Sequence, residues 1–148
     1  MSLHNKGNFG IMAWGVIIMD LRELNENIRR HERLDRAYEM LQSLREKADV
    51  QAPNMDGMPH GTDVSDKVGN LAVAMADLSA RIDVLEDQTD AGDDAIREFA
   101  NTFDDERLQM VIQLRFISCF TWSQTADLLG PAYTANGVRK LVCGALDG

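Results

Sequence analysis

Residues 104–146 read DDERLQMVIQLRFISCFTWSQTADLLGPAYTANGVRKLVCGAL, and the apolar residues recur at three- and four-residue steps. Leu108, Val111, Ile112 and Phe116 form one stripe, Trp122, Ala126 and Leu129 a second, and Val138, Leu141 or Val142 and Ala145 a third. Phe120-Thr121 and Gly130-Pro131 interrupt them, so the stretch predicts three short helices. The last two, joined by a turn, have the outline of a helix-turn-helix. Asp104, Asp105 and Glu106 suit the exposed N–H groups of the first helix. Thr121 is a plausible cap for the second, and Thr134 or Asn136 for the third.

Outward from this unit, Leu21, Leu24, Ile28, Leu34, Ala37 or Tyr38, Leu41, Leu44 and Ala48 keep helical steps and predict a helix from Asp20 to about Ala48. Arg29 to Arg36 is Arg-rich, but Glu26, Glu32 and Asp35 interleave it, so it reads as a solvated ion-pair face before a nucleic-acid patch. Pro53, Gly57, Pro59 and Gly61, with Asn54 and Asp56, form a reversing loop within 49–63. His60 is expected to be a solvated turn residue.

A second helix opens near Thr62, Asp63 or Ser65. Val64, Val68, Leu71, Met75, Leu78, Ile82 and Leu85 alternate four- and three-residue steps, a heptad seam. The register continues through Thr89, Gly92, Ile96, Phe99 and Phe103. Phase continuity favours one helix to about Thr102 over a break at Asp90 to Asp94, with Gly92 its soft point. Two long helices joined by one loop imply an antiparallel, coiled-coil-like hairpin. The fold expected is therefore all-α: an N-terminal extension over 1–18, a helical hairpin over 19–103 and a helix-turn-helix unit over 104–148.

The run LRFISCFTWSQTADLLG, followed by YTANGVRKL, resembles the DNA-contacting fourth region of housekeeping-type bacterial sigma factors. It is similar also to small sigma-like regulators of phages and integrative elements, in which a loop like GMPHGTDVSDKVGNLA, here Gly57 to Ala72, separates two long helices. The resemblance covers roughly Met19 to the C-terminus and implies a cytoplasmic transcriptional regulator of a mobile element. On that basis Tyr133, Thr134, Asn136, Arg139 and Lys140 are the expected DNA contacts, at a promoter or operator. In such a unit Asn suits adenine, Arg suits guanine or phosphate, and a hydroxyl contacts the backbone. The chain departs from its relatives after Leu141. They continue the last helix with basic and aromatic residues, whereas this sequence reads VCGALDG. Trp122 is expected in the core rather than stacked on a base, because the relatives keep an aromatic residue there.

Charge bounds the function further. The chain of 148 residues has a net charge of −9, which argues against coating nucleic acid by charge alone. Residues 61–103 hold three basic residues against ten acidic ones, a balance of −7, and residues 104–148 balance at −1. Asp83, Glu86, Asp87, Asp90, Asp93 and Asp94 are thus a candidate surface for a basic protein such as RNA polymerase, or a solvated face that keeps the protein in solution. A competing reading is an acidic antagonist of a host nucleic-acid-binding protein, a defence nuclease for example, with the helix-turn-helix unit kept for structure.

Residues 1–18 lie outside the resemblance. Translation begins at Met12 or Met19, or the segment is an arm whose Trp14, Val16, Ile17 and Ile18 pack on the helices or on a second copy. A homodimer through the hairpin or this arm is therefore a further expectation. IMAWGVIIM, residues 11–19, is far shorter than the roughly 20 residues that span a bilayer, and no membrane association is expected. Cys119 and Cys143 read as small buried thiols, and His4, His31 and His60 lack ligand spacing. No phosphate loop or nucleophile motif is present, so neither a metal, a cofactor nor an enzyme is expected.

Overall fold

The computed structural model describes residues 18–51 and 62–147, with side chains over 18–50 and 67–147. Trp14, Val16 and Ile17, His4, His60 and the loop glycines and prolines lie outside the described residues, as do the side chains of Thr62, Asp63, Val64 and Ser65. The described chain is all-α, with five helices and, among the described residues, no strand: α1 Leu21–Gln51, α2 Thr62–Ala100, α3 Glu106–Phe116, α4 Trp122–Leu129 and α5 Ala135–Asp147. None of these helices is long and apolar enough to cross a membrane.

Local chemistry explains the helix ends. Asp20 Oδ1 accepts from the Glu23 N–H at 2.9 Å, and Glu23 Oε1 accepts from the Asp20 N–H at 3.0 Å. This reciprocal box satisfies two otherwise orphan donors at the start of α1. Helix α2 runs through Asp90–Asp94 without a break and ends at Ala100, where Thr102 Oγ1 donates to the Phe99 carbonyl at 2.6 Å.

The chain forms two compact units: residues 32–88, and the described residues of 1–31 with 89–148. In the first unit Ala37 and Leu41 of α1 are buried with Ile82 and Leu85 of α2, and Leu34, Met75 and Leu78 pack around them. The Tyr38 hydroxyl donates to Glu86 Oε2. The heptad seam is buried at Ile82 and Leu85, half-buried at Leu71, Met75 and Leu78, and exposed at Val68.

The second unit holds the larger core. Met19 and Leu24 pack with Ala95, Ile96, Phe99 and Ala100 of α2, with Leu108, Val111, Ile112 and Phe116 of α3, and with Ala126, Val138 and Val142. Fully burying a Leu, Ile or Phe side chain contributes about 1.5–3 kcal/mol, so this cluster dominates the unit's stability. Ile18, by contrast, is exposed.

A polar node lies within this core. Asn27, fully buried, donates through Nδ2 to Asp93 Oδ1 and to the Phe116 carbonyl, both at 2.8 Å, and its Oδ1 accepts from Arg30 Nη1 at 3.1 Å. His31 Nε2 lies 2.8 Å from the same Asp93 oxygen. The Phe116 carbonyl is one of the orphan acceptors at the end of α3, and Asn27 satisfies it.

Candidate nucleic-acid interface

Helices α4 and α5 pack on each other and both pack on α3. Between α3 and α4 the chain turns through Cys119, whose φ of 62° is in the left-handed region. Arg115 braces the turn, donating from Nη1 to the Phe120 carbonyl at 2.9 Å with its guanidinium 4.9 Å above the Trp122 ring. Trp122 meets Phe116 edge-on at 5.9 Å, so its indole packs against the core, as expected. Both cysteines are half-buried rather than fully buried, and both are free thiols.

Thr121 caps α4 in a full capping box: its Oγ1 accepts from the Gln124 N–H at 3.0 Å, and Gln124 Oε1 accepts from the Thr121 N–H at 2.9 Å. Thr121→Ala removes one half of the box and is expected to lower stability by about 1 kcal/mol, read as the shift in a urea unfolding midpoint. Helix α4 ends at Gly130, whose φ of 134° strains any residue with a Cβ.

Thr134, not Asn136, caps α5: its Oγ1 accepts from the Gly137 N–H at 3.0 Å. Asn136 is therefore two residues into the helix frame, and its side chain is turned to Arg139, whose Nη2 donates to Asn136 Oδ1 at 3.2 Å. Thr134, Asn136, Arg139 and Lys140 are exposed, while Val138 and Val142 are buried. Tyr133 differs from the other sequence-picked residues. It is half-buried, and its hydroxyl accepts from Arg107 Nη1 of α3 at 3.2 Å.

Arg107 was not among the residues the sequence singled out. It also reaches Asp105, the cap of α3, with Nη2 3.4 Å from Oδ2. The hydrogen bond from the Arg107 side chain holds the Asp105 carboxyl below the usual carboxylate value. A depressed folded pKa contributes stability above the unfolded carboxylate range and loses it as pH falls through the folded value. Asp105→Asn is accordingly expected to reduce the fall in the urea unfolding midpoint between pH 7 and pH 3, because only the native chain loses this contribution as pH drops below the ordinary Asp range of about 4.

The acidic set of α2 is not one kind of surface. In the unit of residues 32–88, Asp83 and Asp87 are exposed, whereas Glu86 is half-buried and engaged by Tyr38. In the other unit Asp90 and Asp94 are exposed, and Asp94 pairs with Arg97 at 3.0 Å. Asp93 is turned inward, its side chain 14% exposed and held by Asn27 and His31. No spacing rule distinguishes this inward placement from its exposed neighbours. Among the described residues, no group of three or more His, Cys, Asp or Glu side chains is arranged to hold a metal ion.

Comparison of the chain with known protein families, with curated proteins and with solved structures finds no match to any of them.

Proposed function

We propose that the protein is a DNA-binding transcriptional regulator of a phage or other mobile element, with α4 and α5 as a sigma-like helix-turn-helix and α1 and α2 as an antiparallel hairpin. The observation that carries the reading is the outward edge of α5. A capping threonine orders its first turn, and Asn136, Arg139 and Lys140 are exposed while Val138 and Val142 of the same helix are committed to the core. Those side chains supply a base-reading amide and two phosphate-binding cations at the end of a helix that a major groove admits. The hairpin is the part left to contact RNA polymerase or a second copy.

The test is binding of the full chain to DNA from its own genetic neighbourhood, at low and moderate salt, with scrambled DNA as control. Site-preferring binding that weakens with salt is expected. No binding at low salt, where electrostatic attraction is greatest, overturns the reading.

The acidic-antagonist reading has one observation in its favour, the exposure of Asp83, Asp87, Asp90 and Asp94. It expects no DNA binding, and binding to a basic nucleic-acid-binding protein that is lost when these four are changed to lysine. Glu86 and Asp93 are poor choices for that test, since both already hold side chains of α1.

A further inference from the structure

We propose that Arg107 of α3 is a second nucleic-acid anchor, binding one backbone phosphate beside the leading turn of α5. The inference rests on the DNA-binding reading and adds to it a residue from outside the helix-turn-helix.

Three observations support it. First, Arg107 is tied to the start of α5: its Nη1 donates to the hydroxyl of Tyr133, the residue before the capping Thr134. A cation from α3 is thereby held at the residue that leads into α5. Second, neighbouring groups orient it. Nε and Nη2 are turned to Asp105 at 3.5 and 3.4 Å, and Nη1 to Tyr133 at 3.2 Å. A guanidinium carries five N–H donors, so these three contacts leave one on each terminal nitrogen for a phosphate oxygen. Third, the group is wet: the side chain is 60% exposed, so a phosphate reaches it with little rearrangement.

The surroundings define the kind of contact. Asp104 and Glu106 are exposed beside Arg107, and residues 104–148 balance at −1. The patch is no general attractor of polyanions. A phosphate is favoured only where the oriented fork meets it, which makes Arg107 a register-setting contact carrying no sequence information.

The experiment is a salt titration of the full chain on a DNA that the native chain binds, in parallel with scrambled DNA. Arg107→Gln is expected to lower affinity about 8-fold at 0.1 M salt, equally on both DNAs, and to reduce the slope of log K against log salt by about 0.9. Arg107→Lys keeps the slope and recovers part of the affinity, because a point charge replaces a fork. Tyr133→Phe leaves the slope unchanged, since it removes a hydroxyl that orients the cation and not the cation itself. Circular dichroism checks that each variant keeps its helices.

An unchanged slope in Arg107→Gln overturns the inference, as does a loss confined to one DNA sequence, which marks a base contact. If the native chain binds and requires Arg139 and Lys140 while Arg107→Gln is silent, the inference alone fails. If the native chain binds no DNA at low salt, the functional reading fails and the inference with it.

Discussion

Replacing Arg139 and Lys140 together with alanine is expected to lower DNA affinity roughly 60-fold at 0.1 M salt and to flatten the salt dependence by about 1.8 in the log–log slope, if each neutralises one phosphate. Both side chains are exposed on α5, and neither takes part in the buried cluster formed by Val138 and Val142, so the fold is expected to survive. Arg139 also touches Asn136, which makes a second variant informative. Asn136→Ala should leave the slope intact and reduce discrimination at one base pair, by about 1–3 kcal/mol for a bidentate contact to adenine. Fluorescence anisotropy on matched and single-base-changed duplexes separates the two. A double alanine variant that binds like the native chain removes α5 from the interface.

Gly92→Ala is expected to destabilise the protein by about 2–4 kcal/mol, the reverse of what a glycine in a helix ordinarily implies. In an exposed helix the change stabilises by up to about 1 kcal/mol, because glycine loses more backbone entropy on folding. Here a Cβ on residue 92 would lie 2.2 Å from Asn27 Oδ1 and 2.8 Å from Arg30 Nη1. Asn27 is fully buried, and its amide bonds Asp93 and the Phe116 carbonyl, so a shift leaves buried polar atoms unpaired as well as crowding the core. Gly69→Ala and Gly144→Ala are the controls. Nothing lies within 4 Å of a Cβ at either position, and both should raise the urea midpoint. A Gly92→Ala protein as stable as these controls would show that the node yields without cost.

These outcomes separate two kinds of information in the chain. The helical stripes were legible because burial on one side of a helix leaves a period in the sequence. Leu108, Val111, Ile112 and Phe116 were expected to face the core, and all are buried. Thr121 was legible as a cap because capping is a matter of neighbouring residues. Continuity of α2 through Gly92 followed from phase. The box of Asp20 and Glu23 carried the same local signal and could have been read from its spacing.

What the tertiary structure alone decided is which polar residues are committed. Gly92 reads as a weak point in one dimension and is a close-approach site in three, because its neighbour Asn27 is 65 positions away in the chain. Asp93 is one of six acids in a row of similar spacing, yet it faces Asn27 and His31 while Asp90 and Asp94 face water. Arg107 and Tyr133 meet across 26 residues, so a cation that spacing left in the general charge balance is tied to the residue that leads into α5. Periodicity determines a helix's buried side, since apolar burial is averaged over a whole stripe. The pairing of a single hydrogen-bonding group depends on one directional contact between distant segments, and leaves no period to read.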